Sequence, residues 1–179
     1  MRHEIRVAGF GGQGMMLAGL LIGKAAALYD GKEAVFSQSY GPEARGGASN
    51  ADVIISDEPI DYPLVTQPDH FVAMFQEAYE RYRPGLVKDG ILLIESDLVR
   101  PLADEGLYRG IPATRIAEEL GRRIVANVVM VGFFSGATGL ISHQAGEQSI
   151  RDTLPPRLVD LNLRAFNAGY EHAKKQETS

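Results

Sequence analysis

The sequence predicts an α/β fold that is Rossmann-like, with a mainly parallel sheet, helices on both faces and a helical C-terminal portion. Three observations lead there. Short β-branched runs alternate with helical patterns from Glu4 to Ile111, the rhythm of strands joined by crossover helices. A glycine-rich turn, Gly9-Phe10-Gly11-Gly12-Gln13-Gly14, separates the first strand pattern from the first helix pattern. After Ile111 every patterned stretch is helical.

Glu4–Phe10 reads as the first strand, and a helix follows from about Gly14 to Tyr29. Ala34–Gln38 and Ala51–Ser56 read as the second and third strands, the latter on the consecutive β-branched Val53-Ile54-Ile55. The run Ala51–Pro63, with acidic turns close together, allows an antiparallel or irregular segment. His70–Phe75 is a short fourth strand, followed by a helix from about Gln76 to Arg83. Ile91–Glu95 is bounded by Asp89-Gly90 and Ser96-Asp97 and reads as a buried fifth strand. Gly106–Ile111 is a candidate sixth. Helices are expected at Thr114–Gly121, Asn127–Leu140 and Ser142–Leu154, the last capped by Ser142 and stopped by Pro155-Pro156. The last helix, Arg157–Lys174, places Leu158, Leu161, Ala165, Ala168 and Tyr170 roughly on one side. The expectation is a single domain over residues 1–175 with a frayed tail at 176–179.

Composition limits the function. A chain of 179 residues buries about 70% of its unfolded surface as one domain. The formal net charge of -5 argues against a general binder of nucleic acid or anionic membrane. The chain has no cysteine, so disulfides, zinc–thiolate sites and cysteine-ligated iron–sulfur clusters are excluded within it. The N-terminus has no long apolar stretch, and the region Ile124–Ile141 is interrupted by polar residues and glycines. The expected location is the cytoplasm.

The first glycine-rich segment fits G-x-G-x-x-G in a strand-to-helix context. Glycines permit positive φ and close approach of a ligand to the backbone, and the amides at a helix start favour an anion. A dinucleotide site also requires an acid at the end of the second strand, but Phe36-Ser37-Gln38-Ser39-Tyr40 stands there. A Walker A loop is excluded because no Lys-Ser/Thr follows the glycines. A ligand-free turn, a phosphate site and the wall of a site shared with a partner all remain open. The first helix is apolar around most of its circumference, which suits a packed core or a subunit interface equally.

The second segment, Ser39-Tyr40-Gly41-Pro42-Glu43-Ala44-Arg45-Gly46-Gly47-Ala48-Ser49-Asn50, is the least generic stretch. Loops after strand C-termini in doubly wound sheets line binding crevices, so both segments are expected on one edge of the sheet, facing one cleft. Arg45 could fork onto a phosphate or carboxylate or pair with a local acid. Tyr40 could stack on a ligand or simply pack.

Together, Gly-x-Gly-Gly-Gln-Gly and Ser-Tyr-Gly-Pro-Glu-Ala-Arg-Gly-Gly closely resemble the γ subunit of 2-oxoacid:ferredoxin oxidoreductases. The stretches Asp52–Asp57, Ile60–Pro63, Pro68-Asp69 and Asn127–Gly132 extend the resemblance to about residue 172. That family oxidatively decarboxylates a 2-oxoacid with coenzyme A, giving an acyl-CoA, carbon dioxide and reduced ferredoxin. The resemblance implies no cofactor and no metal in this chain. Thiamine diphosphate, magnesium and iron–sulfur clusters are implied in partner subunits, with ferredoxin engaged through the complex. It also implies that Gly11, Gly12, Gln13, Gly14, Tyr40, Gly41, Arg45, Gly46 and Gly47 line the access of coenzyme A or a subunit interface, none with a bond-making role. The form most resembled is the 2-oxoglutarate type; pyruvate, branched-chain and indolepyruvate enzymes share the motifs. A stand-alone nucleotide-binding sensor is the alternative of another class. Self-association of the isolated chain is expected to be feasible through faces meant for partners.

The four histidines show no ligand spacing and read as structural or solvated. Asp57, Glu58 and Asp61 read as a solvated turn, Arg122-Arg123 as a helix-end pair, and Phe133-Phe134 as core or interface.

Overall fold

The structure, a computed structural model, describes residues 1–39 and 47–178. Six strands form one sheet: β1 (Arg2–Phe10), β2 (Glu33–Ser39), β3 (Ala48–Ser56), β4 (His70–Ala73), β5 (Ile91–Glu95) and β6 (Tyr108–Ile111), in the order β2-β3-β1-β4-β5-β6. β1, β4, β5 and β6 are parallel neighbours, while β3 runs antiparallel to both β1 and β2. The expected mainly parallel α/β sheet is therefore present. The antiparallel segment is a full nine-residue strand inserted between β1 and β2. Eight residues separate the end of β2 from the start of β3, fewer than the roughly dozen that a parallel crossover needs, so only the antiparallel pairing is within reach.

The helices are α1 (Met15–Lys24), α2 (Gln76–Tyr82), α3 (Ala113–Glu119), α4 (Ala126–Thr138), α5 (His143–Thr153) and α6 (Pro156–Glu177). One π-helical segment, Ala25–Tyr29, continues α1. Ser142 caps α5 as its position suggests: its Oγ accepts from the Ala145 amide at 3.1 Å, and its own groups donate to Asp30. Pro155 and Pro156 both stop α5 and open α6, since proline at a first helical position sacrifices no hydrogen bond.

Side chains alternate across the sheet. Ile5, Val7, Val53, Ile55, Val72 and Leu93 face the larger core, built with α1, α3, α4, α5 and α6. Phe71, Ala73, Leu92 and Ile94 face the other way, onto Ala78 and Tyr79 of α2. Helices thus cover both faces, unequally. α1 is core rather than interface along most of its length, burying Met15, Ala18, Gly19, Leu21, Ile22 and Gly23. Phe133 and Phe134 are fully buried, each contributing about 1.5–3 kcal/mol by burial.

α6 corrects the expected face. Its buried residues are Asn162, Ala165, Phe166, Gly169 and Ala173; Leu158 is partly exposed. Of the expected stripe Ala165 is buried and Leu161 packs partly buried against the core, while at Gly169 the helix meets the α4 backbone too closely for a side chain. It also runs on to Glu177, past the expected end at Lys174.

Candidate functional site

β1 lies where the chain changes direction across the sheet. From β1 it passes through α1 to β2 on one side, and later returns to β4 on the other. The crevice outside the carboxyl ends of such strands is where open α/β sheets bind ligands. A cleft of about 300 Å³ opens there, lined by Gly12, Gln13, Met74, Thr114, Arg123, Ile124 and Ala126.

The loop after β1 is shaped by its glycines and held by the side chains of Gln13 and Asn127. Gly12 and Gly14 have φ of 92° and 79°, a region L side chains rarely enter. The Gln13 carboxamide reaches back: its Oε1 accepts from the Phe10 amide at 2.6 Å, and its Nε2 donates to the Met74 carbonyl at 3.2 Å. Gln13 therefore stitches the ends of β1 and β4 together. Behind the loop, Asn127 Nδ2 donates to the Gly14 carbonyl at 3.1 Å, joining the starts of α1 and α4. No side chain caps α1 and no acid occupies its first turn, which leaves the loop electrostatically suited to an anion.

Of the residues the sequence singled out, Gly11 and Gly12 are exposed on this edge, and Gln13, Gly14 and Gly47 are half-buried. The two segments do meet. A Cβ placed on Gly11 would lie 3.9 Å from the Gly47 carbonyl oxygen, and Phe10 pairs with Ala48 at the end of β1. Tyr40, Gly41, Arg45 and Gly46 lie outside the described residues.

Arg123 and Ile124 were missed as cleft residues. They belong to a 3-10 turn, Arg123–Val125, that leads into α4. Arg123 is paired with Glu118 at 3.5 Å, with both side chains more than half exposed. Such a pair contributes little, so the guanidinium can be turned toward another anion. Ile124 is 61% exposed beside it, an apolar group at the rim. The signal was the Arg122-Arg123 doublet ahead of an apolar helix, which reads equally well as a helix-end pair.

Beneath the cleft, Glu95 is wholly buried at the end of β5. Its carboxylate accepts from the Asp97 amide at 2.7 Å and from the Thr114 amide at 2.6 Å. It fixes the start of α3, and with it Thr114 on the cleft wall. Charge-assisted bonds of this kind make its burial tolerable.

At the opposite edge of the sheet, two of the four histidines, which show no ligand spacing in the sequence, are brought together. His3 and His70 come together with rings in edge contact, 5.4 Å between centroids, on either side of Asp69. They begin neighbouring parallel strands, a juxtaposition created by topology and invisible in linear spacing.

The family model described as pyruvate ferredoxin/flavodoxin oxidoreductase matches residues 4–172. The chain is 51% identical to the 2-oxoglutarate synthase subunit KorC of Methanocaldococcus jannaschii, over 98% of this chain and 96% of the relative. Among solved structures, it superposes on the keto/oxoacid ferredoxin oxidoreductase gamma subunit of Geobacter sulfurreducens with a TM-score of 0.88 at 45% identity, covering 98% of both chains. It also matches the 2-oxoglutarate:ferredoxin oxidoreductase of Magnetococcus marinus, solved with 2-oxoglutarate, coenzyme A and succinyl-CoA bound. There the TM-score is 0.86 at 26% identity, over 97% of this chain and 31% of that one. An uncapped glycine loop at the switch point, no cysteine in the chain and full-length likeness to these proteins agree: the chain belongs to the pyruvate ferredoxin/flavodoxin oxidoreductase family and is a subunit of a 2-oxoacid:ferredoxin oxidoreductase.

Proposed function

We propose that this chain is the γ subunit of a cytoplasmic 2-oxoglutarate:ferredoxin oxidoreductase, and that its cleft is one wall of the passage by which coenzyme A reaches the reaction centre held by partner subunits. The reaction converts a 2-oxoacid, coenzyme A and oxidised ferredoxin into an acyl-CoA, carbon dioxide and reduced ferredoxin. Thiamine diphosphate with magnesium supplies the decarboxylation chemistry and iron–sulfur clusters carry the electrons, all in the partners. The relatives named above support the choice of 2-oxoglutarate.

The observation that carries the reading is that Gly12 and Arg123 line one cleft at the carboxyl edge of the sheet. Gly12 lets a phosphate approach the backbone, and Arg123 offers a fork-shaped donor set matched to phosphate oxygens. Met74 and Ile124 provide apolar surface for an aliphatic arm or a partner. At about 300 Å³ the cleft stands at the small end of ligand sites, roughly 300–1,000 Å³, as one wall of a shared site would. The chain's contribution is to position the thiol carrier and exclude water.

The test is reconstitution of the complex from separate subunits, with and without this chain, reading 2-oxoglutarate-dependent reduction of ferredoxin. The expected result is that coenzyme A-dependent turnover requires the chain. Equal turnover in its absence would refute the reading, as would saturable binding of NAD(P) to the chain alone.

A further inference from the structure

We infer that His3, Asp69 and His70 form a binding site for a divalent transition-metal ion of the zinc class, at the edge of the sheet opposite the cleft. One donor atom from each of the three lies within 4.8 Å of the other two. The Asp69 carboxylate stands between the imidazoles, with Oδ2 at 3.2 Å from His3 Nδ1 and Oδ1 at 2.6 Å from His70 Nδ1. Two imidazoles and one carboxylate are a donor set for zinc, cobalt or nickel rather than for magnesium or calcium, which prefer all-oxygen sites.

The surroundings suit a metal as well. The Glu4 amide donates to Asp69 Oδ1 at 3.0 Å, fixing the carboxylate from outside as the supporting groups of metal sites do. His70 is buried and held by an edge contact with Phe134 of α4. His3 and Asp69 are partly open, their side chains 22% and 34% exposed. Solvent can therefore supply the remaining ligand of a four-coordinate ion, while the buried side of the site is rigid. His3 lies in β1, His70 opens β4 and Asp69 immediately precedes it, so a bound ion would cross-link two parallel strands at their starts. Nothing in this inference rests on the proposed passage of coenzyme A.

The experiment uses the full-length, untagged chain, stripped with a chelator and titrated with Co2+. The expected result is one equivalent bound with the visible absorption of low-symmetry, four-coordinate cobalt, displaced by Zn2+, and an unfolding midpoint raised by Zn2+. Asp69→Asn and His3→Gln, at partly open positions, should keep the far-ultraviolet circular dichroism and weaken Co2+ binding at least tenfold. His70→Asn should do the same; should it fail to fold, Asp69→Asn decides. A wild-type chain with no one-to-one cobalt signal would overturn the inference. So would undiminished binding in Asp69→Asn, which would remove the carboxylate from the ligand set.

Discussion

Gly132 of α4 and Gly169 of α6 face one another across the helix crossing, and each meets backbone rather than a side chain. A Cβ on Gly132 would run into the Phe166 carbonyl, and one on Gly169 into the Val129 carbonyl. Backbone cannot swing aside, so replacing either by alanine should cost about 3 kcal/mol, the upper part of the range for overpacking. Urea denaturation of Gly132→Ala and Gly169→Ala measures this. Gly85→Ala is the control, since its Cβ would meet nothing within 4 Å, and should stay within about 0.5 kcal/mol of wild type.

Glu95 should be as critical as a large apolar residue, although it is charged. Glu95→Ala leaves the buried amide of Thr114 and the partly buried amide of Asp97 without their acceptor. Each such loss costs about 1–3 kcal/mol. Glu95→Gln keeps one carbonyl oxygen and should cost roughly half as much as the alanine variant. Denaturation midpoints of the two variants give the comparison; an alanine variant as stable as wild type would remove Glu95 from the framework of the cleft.

Acid should weaken the chain through Glu105. The Arg83 guanidinium, with Nε 2.8 and 2.7 Å from the two carboxylate oxygens, holds Glu105 below the usual glutamate range, against a smaller opposing effect of burial. Tyr79 adds a hydroxyl donor. A carboxylate depressed on folding contributes its full stability above the unfolded value, about 4.3. That contribution is lost as pH falls through the lower folded value. Stability should therefore decline from pH 5 toward pH 3, and Glu105→Gln should flatten that decline while lowering stability at pH 7. Urea melts across this range decide it; an unchanged acid slope in the variant would show that other carboxylates carry it.

Much of this architecture was legible in the sequence, for physical reasons. The strands β4 and β5 are short, mostly apolar runs bounded by turn formers, and Ser142 and Pro155 mark helix ends by chemistry that needs no tertiary context. The glycine pattern identified the loop after β1, and its meeting with Gly47 follows from sheet topology. What escaped depends on contacts between distant segments. The buried face of α6 could not be read fully from hydrophobicity because it includes Asn162 and Gly169, while Leu158 is exposed. Arg123 reaches the cleft only because α3 and α4 return to the edge where β1 ends. His3 and His70 become neighbours only because β1 and β4 pair in parallel.

The most direct test of the proposed role lies in the kinetics of the reconstituted complex carrying Arg123→Ala. If the cleft guides coenzyme A, losing one charge-assisted contact to phosphate, worth about 1.5–3 kcal/mol, should raise the KM for coenzyme A about tenfold or more. The kcat and the KM for 2-oxoglutarate should stay near wild type, because on this account Arg123 serves only the phosphates of the thiol carrier. An unchanged KM for coenzyme A, or an equal loss across both substrates and kcat, would contradict the assignment of this cleft to the thiol carrier.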